Sequence, residues 1–390
     1  MIKFSRLFWG VVAVFAFSGQ VFPAAAAHKH KTHKTRVHKT AKVVRPPSES
    51  KPEARSDKPM EIRVVVVTAF EIGKDEGDVA GEFQNWVEKL PLGETISAPA
   101  TYHGLYRYNP ELHVLGIVGG EGPTRMAASI TALASDARFD LSHAYFVLAG
   151  IAGINPWAGT IGTAAWARYA VNGGAAHLID SREIPSDWLD GFVPIQGKAP
   201  YERPRSPAHS IAADMVYKFN PSLVNWAYGM TKSVPLPDSL ELQKKRDRYT
   251  VFPKALAKPQ VILGDTITSE TFWLGVRMND WAERWVSYWT DGKGEMVTTA
   301  MEEIALCQAL SYQEKVGRVD MNRILVLRTA SNFDAPPLGE TAVSMLAEEA
   351  HEENFAGLKV ATQAAYDVAS PVVKELATHW DRYKDKIPAP

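Results

Sequence analysis

The run EIRVVVVTAFE, at residues 61–71, limits the folds open to this chain more than any other stretch. Four consecutive valines remove any alternation of polar and apolar positions. Such a β-branched run is typical of a strand buried on both faces of a sheet. Because apolar side chains then project from both faces, helices must cover each of them. The run therefore predicts a three-layer α/β sandwich with a mixed, mostly parallel central sheet.

Strand and helix patterns alternate along the rest of the chain, as this fold class requires. The segment LHVLGIVGGEGPTRMAASITALA predicts a strand, a glycine-rich turn and a helix. Further strands are predicted in HAYFVLAGIAGINP, in GTIGTAAWARYAV (one or two) and in RILVLRTASNFDAPP. An amphipathic helix is predicted from about residue 340 to 366. Residues 180–295 are less regular and rich in proline and tryptophan, which indicates an insertion, although PQVILGDTITSETFWLG within it carries a strand and a turn.

The first 60 residues carry the pattern of an exported protein. Lys3 and Arg6 precede the apolar run LFWGVVAVFAFSG, and small residues follow it, which is typical of a secretory signal peptide over residues 1–27. The run is too short for a comfortable membrane span, so we expect a periplasmic or extracellular protein, with an uncleaved anchor as the alternative. Residues 28–60 predict a disordered linker rich in His, Lys and Pro, ahead of a folded domain at 61–390.

Formal charge is divided unevenly between these parts. Residues 1–60 hold 12 Lys and Arg against 3 Asp and Glu, whereas the whole chain holds 43 against 44, so the folded domain is acidic. An acidic domain argues against nucleic acid as the main partner. The basic arm could contact an anionic envelope surface, bind metal loosely through its histidines, or act as a solvated tether. No second apolar run reaches membrane-spanning length, so the mature chain is expected to lack a transmembrane span.

Two adjacent carboxylates interrupt the nearly apolar run MVTTAMEEIALCQAL, at residues 296–310. The run predicts a helix that is apolar all round and therefore buried. Glu302 and Glu303 point in different directions on such a helix, and a buried carboxylate needs a partner. Each is interpreted either as part of an ion pair or as a ligand contact. Cys307, the single cysteine of the chain, is predicted to be a small buried side chain rather than a nucleophile.

Glycine-rich or polar sequences follow three predicted strands, where ligands bind in α/β proteins. They are Gly119-Gly120-Glu121-Gly122, Gly150-Ile151-Ala152-Gly153 and Ser331-Asn332-Phe333-Asp334. Glycine lets backbone N–H groups approach an anion or a sugar closely. None of the three has the Gly-Lys-Ser/Thr of a phosphate loop or the dinucleotide spacing, which disfavours nucleotide hydrolysis and nicotinamide chemistry. No metal site is predicted.

Six motifs occur in one order along the chain: TAFE, GIVGGEGPTRMAAS, LAGIAGINP, GDTITSETFW, TAMEEIALCQA and LRTASNFD. This succession resembles the motifs of the nucleoside phosphorylase superfamily. Over about residues 60–385, the closer resemblance is to the family called purine nucleoside permeases. The resemblance implies a nucleoside phosphorylase-like fold, a purine nucleoside as ligand and no cofactor, with inorganic phosphate as an optional co-substrate.

The resemblance also implies roles for individual residues. Met301 and Glu302 stand where the superfamily has a Met-Glu pair, whose carboxylate accepts hydrogen bonds from the ribose 2′- and 3′-hydroxyls. Asn332 stands where many members have the aspartate that protonates the leaving purine, and where members selective for 6-oxopurines have Asn. Because an amide is not a general acid, Asp334 is a second candidate for delivering the proton.

Further matches concern the base and the nucleophile. Phe272 and Trp273 match the aromatic that stacks on the purine, whereas a stripe of three tryptophans, Trp281, Trp285 and Trp289, is interpreted as core. Glu71 is the nearest match to the glutamate that nucleosidase-type members use as a base, with a loop salt bridge as the alternative. The turns beside phosphate or water are matched by Gly119, Gly120, Gly150, Ala152 and Gly153.

The function implied is an exported protein that binds a purine nucleoside and cleaves its N-glycosidic bond, by phosphorolysis or hydrolysis. Phosphorolytic members often carry an arginine just before the small-residue turn, and FVLAGIAG has none. Water and phosphate are therefore both open as nucleophiles. The alternatives are a non-catalytic component that captures nucleosides for transport, and a fold repurposed for another ligand. Assembly into a homo-oligomer is left open.

Overall fold

The structure is a computed structural model that describes residues 58–195, 197–202, 214–349 and 355–390. The predicted signal peptide at 1–27, and the linker at 28–60 except for its last three residues, lie outside the described residues. The predictions of export and of an envelope contact through the basic arm depend on that part of the chain. They stay predictions.

The described residues alternate between short strands and helices. The strands are β1 Met60–Glu61, β2 Val64–Thr68, β3 Glu94–Ser97, β4 Leu105–Asn109, β5 Val114–Val118, β6 Phe139–Asp140, β7 Tyr145–Ile154, β8 Ala164–Trp166, β9 Tyr169–Asn172, β10 Ala176–Leu178, β11 Phe192–Pro194, β12 Val216–Lys218, β13 Val261–Leu263, β14 Asp265–Thr268, β15 Met296–Ala300 and β16 Ile324–Phe333. The helices are α1 Gln84–Lys89, α2 Pro123–Ala134, α3 Pro221–Thr231, α4 Leu240–Arg246, α5 Val276–Trp289, α6 Glu303–Glu314, α7 Ala342–Glu349, α8 Phe355–Thr378 and α9 Trp380–Tyr383.

Twelve of these strands form one mixed sheet in the order β12-β9-β14-β15-β7-β2-β5-β4-β3, with β16 beside β7, β8 beside β16 and β13 beside β8. At its centre, β2 runs parallel to both β5 and β7, and β7 runs parallel to β16. Parallel pairing continues at β9-β14, β14-β15 and β8-β13. The other pairs described in this sheet are antiparallel. The carboxyl ends of β2, β7 and β16 therefore meet at one edge.

The helices pack in two groups around this sheet. The long α8 lies against β7, β16 and β2 and also contacts α1, α3 and α4. On the other side of the core, α2 packs against α6, which contacts β9 and β12. The predicted three-layer α/β fold with a mixed sheet is confirmed. In the part of the chain that the structure describes, no helix combines the length and the apolar composition that a bilayer crossing needs.

The strongest sequence pattern is reproduced directly. Every residue of β2 is buried, and its four valines are fully enclosed between β5 and β7. The predicted strand–turn–helix is β5 followed by α2, and GTIGTAAWARYAV holds two strands, β8 and β9. The segment 180–295 contributes β12, β13 and β14 to the central sheet.

Two predicted helices have different bounds. The helix predicted over 296–310 is wrong in its first part, because residues 296–300 form β15 and α6 begins only at Glu303. β-Branched Val297, Thr298 and Thr299 favour a strand, and Thr298 and Thr299 pair with the end of β7. The helix predicted at about 340–366 corresponds to α7 and α8, of which α8 continues to Thr378.

Candidate functional site

A cavity of about 260 Å³ opens where β2, β7, β14, β15 and β16 end. These ends meet because the strands are neighbours in one sheet, so segments far apart in sequence converge there. Six residues predicted for the site line the cavity: Ala152, Gly153, Phe272, Met301, Glu302 and Asn332.

Glu302 lies between β15 and α6, as the residue that precedes the first turn of the helix, and is 4 % exposed. Its Oε1 accepts the Gly122 N–H at 2.9 Å. Its Oε2 accepts Arg328 Nη2 at 2.7 Å and the Met301 N–H at 3.3 Å. An ionised carboxylate offers about four acceptor positions. The three donors therefore leave one position, on Oε1, for a ligand hydroxyl.

Arg328, in β16, is the buried cation of the cavity and is surrounded by acceptors. Its Nε donates to Glu303 Oε1 at 2.6 Å, and its Nη1 donates to the carbonyl of Ile151 at 3.0 Å. Together with the bond to Glu302, each of its three nitrogens has a partner in the protein. Its charge also acts on a third carboxylate, Glu82. With three carboxylates around one guanidinium, the cluster stays negative even when one carboxyl is protonated.

Glu303, the second member of the adjacent pair, is fully buried. Of the two interpretations that the sequence left open for it, an ion pair or a ligand contact, its ion pair with Arg328 confirms the first. Burial alone would raise its pKa, but the Arg328 charge and hydrogen bond outweigh burial and hold the pKa of Glu303 below its usual value. The same arginine thus joins both glutamates of the pair.

Glu82 is a cavity residue that the sequence did not reveal. It lies in the segment between β2 and α1, is 1 % exposed, and accepts the backbone N–H groups of Ala69 and Ile151, each at 2.6 Å. Burial raises the pKa of Glu82 to about 7, although the Arg328 charge and these two N–H groups oppose the rise. Glu82 is therefore a buried carboxyl that can change protonation state near neutral pH.

The turn predicted at residues 150–153 is wrong, because these residues lie within strand β7. The predicted glycines shape the cavity rather than all lining it. At Gly150, a Cβ atom would lie 2.6 Å from Glu82 Oε1 and 2.8 Å from Arg328 Nη1, so only glycine leaves room for that pair. Gly119 and Gly120 lie in the turn after β5, and their N–H groups bond the carbonyls of Thr68 and Ala69 rather than facing the cavity.

An amide and an aromatic ring also line the cavity. Asn332 Oδ1 accepts the Ser331 hydroxyl at 2.8 Å, and Asn332 Nδ2 donates to the carbonyl of Phe333 at 3.1 Å. Phe272 lines the cavity and is 57 % exposed, so its ring is open to a planar ligand. Trp273 is not in the lining, because it is buried against Trp281 with 6.0 Å between ring centroids.

The three tryptophans of α5, Trp281, Trp285 and Trp289, pack together in an apolar cluster, which confirms their interpretation as core. Cys307 is likewise fully buried, and burial raises the pKa of its thiol. In the residues described here, no group of three or more His, Cys, Asp or Glu is arranged to hold a metal ion.

Two residues predicted as catalytic lie outside the cavity lining. Glu71 accepts backbone N–H groups from Ile72, Gly81, Phe83 and Gln84, so it shapes the segment that carries Glu82. The structure therefore places Glu82, not Glu71, beside the cavity. The physical reason is that both oxygens of the Glu71 carboxylate are held by its own segment.

Asp334 is 1 % exposed and lies against α5 rather than in the cavity. When the Asn279 amide is oriented to satisfy both of its ends, its nitrogen donates to both Asp334 oxygens, at 3.0 and 3.1 Å. Burial, with the nearby Glu283 charge, raises the pKa of Asp334 well above its usual value. Strand β16 ends at Phe333, so alternation no longer directs Asp334 to the side of Asn332.

The chain is similar in sequence to two fungal proteins and in fold to a solved bacterial structure. A probable purine nucleoside permease of Schizosaccharomyces pombe is 29% identical over 72% of this chain and 82% of its own length. A purine nucleoside permease of Candida albicans is 26% identical over 76% of this chain and 72% of its own length. Among solved structures, the 5′-methylthioadenosine/S-adenosylhomocysteine nucleosidase of Neisseria meningitidis is 13% identical, with a TM-score of 0.45 over 80% of this chain and 99% of its own.

The family described as purine nucleoside permease matches residues 61–388. The match spans nearly the whole folded domain and includes all the residues that line the cavity. The chain belongs to the purine nucleoside permease family.

Proposed function

We propose that the protein binds purine nucleosides in this cavity and hydrolyses their N-glycosidic bond. The observation that carries the proposal is that Glu82, Glu302 and Arg328 line the same cavity as Asn332 and Phe272. Carboxylates suit a ribose and a nucleophilic water, whereas an amide and an aromatic ring suit a purine. The names of the relatives support a purine nucleoside as ligand.

Glu302 holds the ribose in this proposal. One ribose hydroxyl donates to the acceptor position that remains on Oε1. The second takes the position on Oε2 that Met301 N occupies at 3.3 Å, the longest of the three contacts. The carboxylates also stabilise positive charge, which develops on the ribose as the bond to the base breaks, because the transition state of glycoside cleavage resembles an oxocarbenium ion.

Glu82 acts as the base. A water molecule attacks ribose C1′ while Glu82 accepts its proton, and the C1′–N bond breaks with its electron pair going to the purine. Asn332 can donate a hydrogen bond to the purine that leaves, and the purine then takes a proton from solvent. A carboxyl with a pKa near 7 suits general base catalysis at neutral pH.

Water is preferred over phosphate because the described residues that line the cavity offer no cation without a carboxylate partner. Arg328 is the cation in the lining, and Glu302, Glu303 and Ile151 occupy its nitrogens. A phosphate dianion would enter a cluster that is already negative, and like charges at close range cost several kcal/mol. Phosphorolysis would need that cluster to rearrange.

The test is incubation of the purified protein with inosine or adenosine, with and without inorganic phosphate. Release of free base and free ribose without phosphate is the expected result. A strict requirement for phosphate, with ribose 1-phosphate as product, would contradict hydrolysis.

The second candidate is capture of nucleosides for transport, and the observation in its favour is the permease name that the relatives carry. A capture protein needs Glu302, Asn332 and Phe272 but not Glu82. Saturable nucleoside binding with no release of base, unchanged in Glu82→Gln, would support capture and overturn catalysis. Export of the chain, predicted from residues 1–27, belongs with either function.

A further inference from the structure

Glu303 is a fully buried carboxylate that does not line the cavity, yet it contacts two residues that do, Arg328 and Glu302. Its Oε1 accepts Arg328 Nε at 2.6 Å and the Thr266 hydroxyl at 3.1 Å. Its Oε2 accepts the Thr268 hydroxyl at 3.0 Å and the Glu302 N–H at 3.2 Å. All of its roughly four acceptor positions are therefore used.

The two threonines come from neighbouring positions on one face of β14. Thr266 and Thr268 alternate with Ile267 along the strand, so both hydroxyls project to the same side. Both are buried, and an apolar β-branched residue would fill the same space in a strand. The hydroxyls therefore serve to hold Glu303, which lies in the first turn of α6.

Arg328 connects Glu303 to Glu302, the carboxylate that lines the cavity. Its planar guanidinium has a fixed fork of donors, so fixing Nε on Glu303 also fixes the direction of Nη2, which donates to Glu302 at 2.7 Å. The chain of contacts runs from β14 through Glu303 and Arg328 to Glu302. A second contact, from the Glu302 N–H to Glu303, closes the same unit through the backbone.

We propose that Glu303 is a positioning residue: it orients Arg328, and through it the carboxylate of Glu302, for the ribose. This inference rests on the proposed function of the cavity. It assigns a task to the residue after the Met-Glu pair, for which the sequence left an ion pair and a ligand contact open. Glu303 also neutralises Arg328, so that the arginine orders the cavity without offering its charge to an anion.

The central experiment compares the inosine affinity of the wild type and four variants by titration calorimetry. Glu303→Gln is expected to weaken binding by about 10- to 100-fold, the range for loss of a hydrogen bond to a charged group. Thr268→Val keeps Glu303 and the strand but removes one hydroxyl, and is expected to weaken binding by about 3- to 10-fold. Glu302→Gln reports on the ribose site itself.

The matched control is Asp238→Asn, an acid-to-amide change at another buried arginine. Arg246 is 4 % exposed and pairs with Asp238 at 2.7 Å, outside the cavity lining. This variant is expected to bind inosine like the wild type. If Glu303 only stabilised the fold, Glu303→Gln and Asp238→Asn would behave alike.

The pH profile of base release gives a readout that a general loss of stability does not move. Arg328, Glu302 and Glu303 are the charged groups of the cluster around Glu82. Removing the Glu303 charge leaves the positive charge of Arg328 less neutralised, and it also removes one negative charge near Glu82. Both changes favour the ionised form of Glu82, so its pKa falls. The acid limb of the profile is expected to shift to lower pH in Glu303→Gln and to stay in place in Asp238→Asn.

The outcomes separate this inference from the function on which it rests. Unchanged affinity in Glu302→Gln would overturn the ribose site and the inference together. Weak binding in Glu302→Gln, with Glu303→Gln and Thr268→Val both equal to Asp238→Asn, would overturn the inference alone. Absence of base release in the wild type would remove the catalytic proposal, while the affinities would still decide the role of Glu303.

Discussion

Glu82 and Glu302 are chemically identical side chains that the protein holds in different ways. Glu302 is bound by an arginine and two backbone N–H groups, whereas Glu82 is held by two backbone N–H groups and senses Arg328 only through its charge. Burial without a direct ion pair favours the neutral acid and raises the pKa of Glu82. One carboxylate is therefore suited to a fixed hydrogen-bonding task, and the other to moving a proton.

Replacing Glu302 with Gln is expected to weaken nucleoside binding by about 1–3 kcal/mol. The amide presents an NH₂ group where the carboxylate accepted hydrogen bonds, so a ribose hydroxyl or an existing donor loses its acceptor. Calorimetric titration with inosine measures the change. Glu295→Gln, which alters an exposed pair with Lys254, should bind as the wild type does. Equal affinity in Glu302→Gln and the wild type would show that the ribose is held elsewhere.

Replacing Glu82 with Gln is expected to slow base release by about 10²- to 10⁴-fold, the usual contribution of a general base. Inosine affinity should change little, because Glu82 receives its proton only during the reaction. Single-turnover release of hypoxanthine measures the rate. A variant that keeps the wild-type rate would exclude Glu82 as the base.

Glu82 also predicts how stability depends on pH. Its pKa rises from 4.5 to about 7 on folding, so the folded state binds the proton more tightly than the unfolded chain does. Its contribution to stability is therefore greatest below pH 4.5 and declines by about 3 kcal/mol as the pH rises past 7. Glu82→Gln cannot ionise, so it should gain stability relative to the wild type between pH 4.5 and 8. Urea unfolding of both proteins at the two pH values tests this, and a constant difference would contradict it.

At the scale of elements, the junction between β15 and α6 shows how far the sequence could lead. The run MVTTAMEEIALCQAL contains too few polar residues to show whether its apolar positions repeat with the spacing of a strand or of a helix. Hydrophobicity alone therefore did not reveal where the strand ends and the helix begins. The β-branched residues Val297, Thr298 and Thr299 were the available signal for a strand. The motif order, in contrast, correctly identified the family. It also singled out Met301 and Glu302, the two residues of this junction that line the cavity.

Glu82 was beyond sequence reasoning for a different reason. The segment from Glu71 to Glu82 carries several acidic residues and no periodicity, so none stands out. Glu82 faces the cavity because the N–H groups of Ala69 and Ile151, at the ends of two neighbouring strands, bind its two oxygens. Which acidic residue meets those donors depends on the path of the segment through space, which sequence spacing does not give.

Strand β7 should not tolerate a side chain at Gly150. Gly150→Ala places a methyl group 2.6 Å from Glu82 Oε1 and 2.8 Å from Arg328 Nη1, and overpacking of this kind costs about 1–3 kcal/mol. Reduced urea stability and weaker inosine binding are expected together. Gly93→Ala, where a Cβ meets nothing within 4 Å, is the control. Normal inosine binding in Gly150→Ala would mean that Glu82 and Arg328 can move apart without affecting the ligand site.

At the scale of the whole molecule, charge sets which ligands can enter. The chain beyond residue 60 is acidic, and the cluster around Arg328 is negative as well. Inosine 5′-monophosphate is therefore expected to bind at least about tenfold more weakly than inosine, since like charges repel in a partly buried site. An inosine with a neutral 5′-O-alkyl group of similar size controls for bulk. Equal binding of nucleoside and nucleotide would show that a cation outside the cluster receives the phosphate.

The fold itself was the most accessible part of the prediction. A strand with no polar position, followed by helices and further strands, leaves few arrangements other than a sheet covered on both faces. The valines of β2 are buried as that argument requires. Side-chain orientation at the cavity was less accessible, because Asp334 and Trp273 both pack against residues of α5, and for Asp334 that helix is distant in sequence.

The burial of Cys307 has a practical use in following these reactions. Because it is the only cysteine in the chain and its buried thiol resists ionisation, thiol reagents at neutral pH should leave the wild-type protein unmodified. A cysteine introduced at exposed Leu338 would then be the single labelling position, with no background to remove by mutation. A fluorophore attached there would give each variant an optical signal for stopped-flow mixing with nucleosides, on an otherwise unaltered protein.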